Sequence, residues 1–302
     1  MKNAVGLITQ IKTLAMHDGP GIRTTVFVKG CPLTCIWCSN PETQKKYPEI
    51  YFISNRCRHC GECSKACSEN AILKDENRRI DRQKCNRCMR CIEVCPDGAL
   101  ERVGKEVTAE EVAKKMEEDV PFFKRSGGGV TLSGGEPLLQ PEFSFELLRL
   151  LHEKGINTCL DTSGYGNSEL VKEVIEYVDL VLLDIKHMNP EVHRKWTGVS
   201  NELILKNAKI MGAKRKVRIS LPLIPGVNDD IENIEETIKF SKALGIQSID
   251  IMPFHRLGTS KYQFLGLKCC YDQFGTTADE RVDRITKMIK SCSLNASNER
   301  SF

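Results

Sequence analysis

The chain contains no run of about 18 apolar residues, so no membrane-spanning helix is expected. Its N-terminus has no basic stretch leading into an apolar segment and a small-residue cleavage site, so no secretion leader is expected. It lacks charge of one dominant sign: 44 basic residues face 40 acidic ones, for a net charge of +4. The basic residues form no long block, and nucleic acid is not an expected partner. A phosphate-binding loop is also missing, because Gly127-Gly128-Gly129 is not followed by the Gly-Lys-Ser/Thr ending such loops need. These absences leave an expected cytoplasmic chain of 302 residues, enough for one large α/β domain or two ordinary ones.

Cysteine is what the chain has in excess, with 15 residues. Without an export leader, clustered thiols point to metal or catalysis rather than to disulfides. Eleven of the 15 fall into three tight motifs. Cys159 is expected as a buried strand residue, and Cys269, Cys270 and Cys292 show no convincing pattern. The first motif is Cys31-Pro32-Leu33-Thr34-Cys35-Ile36-Trp37-Cys38. A loop this short can bring three sulfurs onto one [4Fe–4S] core, one ligand short of the four that ordinary ferredoxin sites use. Such a cluster keeps one iron open, as a catalytic zinc keeps an open position. Zinc is the rival reading, although zinc sites of this kind usually add a second ligand pair at a distance.

The other two motifs lie between residues 48 and 104. Cys57-x2-Cys60-x2-Cys63-x3-Cys67 and Cys85-x2-Cys88-x2-Cys91-x3-Cys95-Pro96 each repeat the bacterial ferredoxin run. In two-cluster ferredoxins the fourth cysteine of each run serves the other cluster. One [4Fe–4S] is therefore expected on Cys57, Cys60, Cys63 and Cys95, and a second on Cys67, Cys85, Cys88 and Cys91. Two structural zinc ions are the alternative.

The remainder has an α/β rhythm. Strands are expected near residues 5–11, at 24–28, 130–133, 157–161, 180–185, 216–221 and 248–252. Helices are expected from the Thr108-x-x-Glu111 capping box to about residue 119, and at 142–153, 168–177, 201–211, 229–244 and 279–290. Gly155 and Gly245 read as helix stops, and the last dozen residues as a frayed tail. Strand–helix alternation implies a parallel sheet. Six such units, short of the eight of a full TIM barrel, suggest a partial (β/α)6 barrel from residues 1–47 and 105–302, with 48–104 inserted after its first parallel strand. Active sites collect at the C-terminal ends of such strands. There stand Gly134-Gly135-Glu136-Pro137, Asp161-Thr162, Asp184-Ile185-Lys186-His187, Arg218 and His255. Asp184 and Lys186 alternate along a strand end and so share a face. Arg218 suits a bidentate carboxylate contact. Acidic and basic groups on one rim predict a polar, zwitterionic ligand beside Cys31–Cys38.

These residues carry a resemblance. Cys31-x3-Cys35-x2-Cys38, with Trp37 before its last cysteine, resembles the cluster motif of radical S-adenosylmethionine (SAM) enzymes. Together with Asp18-Gly19-Pro20-Gly21-Ile22-Arg23-Thr24, Gly134-Gly135-Glu136-Pro137, Asp184-Ile185-Lys186-His187 and Leu257-Gly258 after His255, it resembles the glycyl-radical-enzyme activating enzymes. The similar subgroup has an inserted two-cluster ferredoxin domain. The resemblance implies a catalytic [4Fe–4S] on Cys31, Cys35 and Cys38 whose open iron chelates SAM. It implies an adenine lined by Trp37, Cys38 and Ser39, and a methionine amino group met at Gly134, Gly135 and Glu136. Asp184, Ile185, Lys186, Arg218 and His255 would contact the rest of the cofactor. Asp161, Thr162, Met252 and Asp184 map to a monovalent-cation site of some relatives. Implied partners are a low-potential donor such as flavodoxin or ferredoxin, and a glycyl radical enzyme whose glycine Cα loses a hydrogen. Two other readings use the same residues: a radical SAM enzyme acting directly on a small molecule or peptide, and a ferredoxin-type electron carrier. The first often carries auxiliary-cluster cysteines near its C-terminus, and the second leaves the strand-end residues unexplained.

Overall fold

Short β-branched runs alternate with amphipathic helices from residue 105 onward, and this alternation produces a mostly parallel α/β sheet. The structure, a computed structural model, describes residues 4–75 and 79–298. The strands are β1 (Val5–Ala15), β2 (Arg23–Val28), β3 (Glu49–Phe52), β4 (Leu100–Val103), β5 (Lys105–Thr108), β6 (Gly129–Gly134), β7 (Asn157–Thr162), β8 (Leu180–Asp184), β9 (Lys216–Leu223), β10 (Ser248–Pro253) and β11 (Asn295–Asn298). Nine form one sheet in the order β11-β10-β9-β8-β7-β6-β2-β1-β5. From β2 to β11 every neighbour is parallel, while β1 and β5 add antiparallel strands at one edge. The other two strands, β3 and β4, pair antiparallel in a separate sheet.

The helices are α1 (Glu62–Lys65), α2 (Arg90–Glu93), α3 (Ala109–Met116), α4 (Val120–Ser126), α5 (Pro141–Glu153), α6 (Ser168–Val174), α7 (Pro190–Thr197), α8 (Glu202–Lys214), α9 (Ile231–Ala243), α10 (Thr259–Leu265) and α11 (Asp279–Ser291). The capping box at Thr108 forms: its Oγ1 accepts from the Glu111 N–H, and the Glu111 carboxylate accepts from the Thr108 N–H. Gly155 and Gly245 take left-handed backbone just past α5 and α9, at φ of 69° and 68°.

Several elements, among them β3, β4, β5, α4 and α10, are not among those expected, and two further differences stand out. The tail is not frayed through residue 298, because β11 pairs with β10 along its backbone, while residues 299–302 lie outside the described residues. And α7, unexpected, starts at an Asn189 cap whose side chain accepts from the Glu191 and Val192 N–H groups, with Pro190 in its first turn.

Side-chain alternation along the strands sorts core from site. Leu132, Leu160, Leu183, Ile219 and Ile251 enter the main apolar core. The same core includes Phe143, Leu147, Leu148 and Leu151 of α5, each side chain contributing roughly 1.5–3 kcal/mol by leaving water. Their sequence neighbours Ser133, Asp161, Leu182, Asp184, Arg218, Ser220, Asp250 and Met252 line a cavity of about 480 Å³ on the opposite face. A second apolar cluster lies within residues 48–104, built from Ile50, Phe52, Cys63, Ile80, Cys91, Ala99 and Leu100. Cys159 is fully buried on β7.

Candidate functional site

The Cys31–Cys38 loop leaves the C-terminal end of β2 and is pinned on both sides. Gly30 N–H donates to Thr43 O at 2.6 Å, and Cys31 N–H to Gln44 O at 2.9 Å. On the other side, Thr34 N–H donates to Thr197 O at 2.8 Å and Ile36 N–H to Trp196 O at 3.4 Å. Those two carbonyls end α7, where a helix leaves acceptors unpaired. Gly198 follows with φ 84°, and a Cβ there would stand 2.6 Å from Thr34 Oγ1. The Tyr262 and Tyr271 hydroxyls both donate to Cys38 O, at 2.9 and 2.6 Å. Phe254, Tyr262, Tyr271 and Phe274 pack edge to face, and Trp37 and Trp196 both meet Phe274. Leu33, Cys35 and Trp37 are buried in this shell.

Cys31, Cys35 and Cys38 line one cavity of about 220 Å³, together with Ser39, Gly134, Gly135, Asp161, Asp184 and Lys186. Burial pushes the Cys35 thiol up to about 12 and raises Cys31 and Cys38 as well. Thiols in that state become ligands only when a metal's charge displaces their protons. Three soft donors, a space at their centre and a polar wall opposite fit an iron–sulfur cluster with an open corner and a ligand chelated there. The larger cavity adjoins, sharing Trp37, Ser39, Asp161 and Asp184, and continues to Arg218 and His255.

Polar groups on this wall are held by one another. Lys186 Nζ donates to Asp184 Oδ2 at 2.6 Å. Burial opposes the Lys186 charge, but Asp184 and the Cys35 thiol outweigh it and hold the pKa above the usual lysine range. Arg218 Nη2 donates to Asp250 Oδ1 at 2.5 Å, and its buried Nε has no hydrogen-bond partner among the described residues. Buried Asn228 joins the ends of β8 and β9: its Nδ2 donates to Lys186 O at 2.9 Å and also to Pro222 O, while its Oδ1 accepts from Ile224 N–H.

Ser133 Oγ donates to Asp161 Oδ2 at 2.5 Å. Burial and the neighbouring Asp184 charge raise the Asp161 pKa above the ordinary carboxylate range. A raised folded-state pKa stabilises the protein at low pH, and that contribution is lost as pH rises through the raised value. Wild type is therefore expected to lose stability between pH 5 and pH 9 relative to Asp161→Asn, as read from urea midpoints of the metal-free proteins. Parallel midpoints for the two proteins would exclude the shift.

Two expected contacts are corrected. Glu136 does not face the cavity but is fully buried, accepting from Thr162 Oγ1, Leu138 N–H, and the Ser163 N–H and Oγ. Burial pushes its pKa up, against these hydrogen bonds. It ties the strand end of β6 to that of β7, and its acceptors are not available to an amino group. Gly135 fits beneath it because a Cβ there would stand 2.2 Å from Gly30 O. Ile185 points its side chain into the core, and its N–H donates to Ser220 O. Of the cation quartet, Asp161, Asp184 and Met252 line the larger cavity, while the Thr162 hydroxyl is taken by Glu136.

In residues 48–104 the eight cysteines divide in space. Cys57, Cys60, Cys63 and Cys95 line one small cavity, and Cys67, Cys85, Cys88 and Cys91 another. Among the described residues, no three His, Cys, Asp or Glu side chains are grouped to hold a single metal ion. Nor is any helix among them long and apolar enough to cross a membrane.

The radical SAM superfamily model matches residues 25–240. The chain belongs to that superfamily. It is 43% identical over 272 residues to the (2S)-3-sulfopropanediol dehydratase activating enzyme of Klebsiella oxytoca, covering 87% of this chain and 86% of the relative. It is 40% identical over 296 residues to the trans-4-hydroxy-L-proline dehydratase activating enzyme of Clostridioides difficile, covering 96% of this chain and 97% of the relative. The crystal structure of a radical SAM methyltransferase from Sphaerobacter thermophilus superposes with a TM-score of 0.54 at 15% identity, over 97% of this chain and 78% of that one, and shares the fold.

The aromatic shell, Asn228, Asp250 and the α7 clamp had no visible signal as site residues. Asn189-Pro190 could have announced α7, since Asn caps a helix and Pro suits its first turn.

Proposed function

We propose that this radical SAM enzyme activates a glycyl radical enzyme, with residues 48–104 as a ferredoxin-type unit carried on a partial (β/α)6 barrel. The carrying observation is the cavity that Cys31, Cys35 and Cys38 share with Asp184 and Lys186, at the strand ends of a protein similar to activating enzymes over most of its length. Cys31, Cys35 and Cys38 hold a [4Fe–4S] cluster that leaves one iron for SAM. Bound there, cluster and SAM would supply the radical chemistry, fed one electron by the donor, that removes a hydrogen from a glycine Cα of the partner.

The chain's residues orient and protect. Lys186, fixed by Asp184, places a positive charge beside the thiol cavity. Arg218 offers its unpaired Nε toward a carboxylate while Asp250 holds the other end of the guanidinium. Trp37, Ser39, the backbone of Gly134 and Gly135, and His255 line the remaining cofactor wall. The apolar shell around Cys35 keeps water from the reacting centre. Cys57, Cys60, Cys63 and Cys95, and separately Cys67, Cys85, Cys88 and Cys91, hold two further [4Fe–4S] clusters. A low-potential one-electron carrier serves as donor.

Anaerobic reconstitution is expected to load about twelve irons per chain, three clusters of four. Co-expression with a partner enzyme is expected to yield a glycyl-type EPR doublet on the partner. Deoxyadenosine release with no doublet on any candidate partner would turn the reading toward a small-molecule or peptide substrate. About eight irons and no SAM cleavage would leave an electron carrier.

A further inference from the structure

The two cysteine sets of residues 48–104 have different electrostatic surroundings. Around the exposed Cys60, each exposed long basic side chain is neutralised, and the one other, Arg79, is buried against Phe52 and Cys63. Arg56 pairs with Glu101, Arg58 with Asp97 at 3.2 Å, and Lys65 with Glu62 at 2.7 Å. Around the exposed Cys88 the pattern changes. Lys84, Arg87 and Arg90 are exposed, and none has a carboxylate within ion-pair distance among the described residues. Arg87 instead lies over the Tyr47 ring, 4.3 Å from its centroid. Of the nearby carboxylates, Glu69 accepts from Asn86 Nδ2 and Asp81 from the Gln83 and Lys84 N–H groups, while Glu93, exposed on α2 with Arg90, forms no ion pair with it. Arg82, next to Cys85, anchors this end to the core. It donates to Leu265 O at 2.7 Å and Ile50 O at 2.9 Å, and stands 3.6 Å from Glu49.

We propose that the Lys84–Arg87–Arg90 face over Cys88 is the docking surface for a small one-electron carrier with an acidic surface. Unpaired rim charges act chiefly by steering encounter and selecting partners of opposite sign. Neutralised ones do so far less, which separates this face from the Cys60 face. On docking, the carrier is oxidised by one electron and the protein reduced by one, with no bond broken and no proton moved. The inference rests on the proposed function only in that the cysteine sets hold clusters.

The test uses the full-length, iron-loaded protein and an acidic flavodoxin in its oxidised form, with binding read by calorimetry. Wild type should bind at low ionic strength, and its Kd should rise about tenfold as salt screens the exposed charges. Lys84→Glu/Arg87→Glu/Arg90→Glu should weaken binding about tenfold at low salt. Arg56→Glu/Arg58→Glu/Lys65→Glu, which changes net charge equally, should weaken it less than about twofold. Cytochrome c, a basic carrier, should not bind the wild type. A triple variant within about twofold of wild type, equal losses from both triples, or salt-independent wild-type binding overturns the proposal. If the first triple fails to load iron, Lys84→Gln/Arg90→Gln with full iron takes its place, expected about threefold weaker; unchanged binding overturns the proposal. An iron count near four per chain instead overturns the cluster assignment of these cysteines, and the two failures remain distinguishable.

Discussion

Cys35→Ala is expected to abolish 5′-deoxyadenosine formation under dithionite and to lower the iron content by about four per chain. Cys35 is the middle thiol of its loop and is buried inside the aromatic shell. Its removal leaves two sulfurs on a cluster already one ligand short. The loop itself should persist, because its backbone is held by α7, Thr43 and Gln44 rather than by the thiol. Cys159→Ala, which removes a buried thiol outside the three motifs, should leave the iron count unchanged. Deoxyadenosine formation by Cys35→Ala at the wild-type rate would sink the assignment of the first motif.

Glu49→Ala is expected to destabilise the metal-free protein by about 3–5 kcal/mol, because it strands a buried charge. Lys29 Nζ lies 2.9 Å from Glu49 Oε2, with side-chain exposures of 0% and 7%. Lys29 also donates to Glu42 O, and that carbonyl with the more weakly acting Glu42 carboxylate does not replace the direct ion pair. Burial already pushes the Lys29 pKa down, and Glu49 is the main opposing influence. Lys29→Met/Glu49→Leu should recover most of the loss, since replacing both ions by apolar groups of similar volume removes the desolvation penalty. Chemical denaturation measures both variants. A loss below about 1 kcal/mol for Glu49→Ala would mean that the pair is solvated as a surface bridge is.

The order of elements was legible because each parallel strand combines β-branched residues with an alternation of core and cavity positions. β6 to β10 fall within a few residues of where that pattern places them. The division of the eight cysteines into two spatial sets is the arrangement expected from their crossed spacing. Glu136 was misread for a physical reason. A carboxylate after two glycines at a strand end looks like a ligand acceptor, and nothing local shows that Thr162 and Ser163 will arrive to saturate it. Ile185 was drawn in with its motif neighbours, although strand alternation assigns it to the core face. The run Asn295–Asn298 gives little apolar signal, so its pairing with β10, through the backbone and the Ser297 hydroxyl on Asp250, could not be anticipated. Tyr262, Tyr271 and Phe274 are more than 220 residues from the loop they enclose, a separation that no local pattern spans.

The pairing of β3 with β4 bears on how such a chain can change. Residues 53–99 leave and re-enter through two antiparallel neighbours that meet at Phe52 and Leu100. A tight hairpin turn is all that antiparallel neighbours need to be joined. The whole cysteine-rich segment can therefore be exchanged for a short turn without unthreading the nine-stranded sheet. What such a deletion forfeits includes the grip of Arg82 on Leu265, Ile50 and Glu49, the Arg56–Glu101 and Arg87–Tyr47 contacts, and the apolar cluster the segment shares with Ile50, Phe52 and Leu100; Tyr51 stays in β3, packed against Phe264 of α10. In architectural terms, the segment hangs between two paired strands that stand outside the nine-stranded sheet.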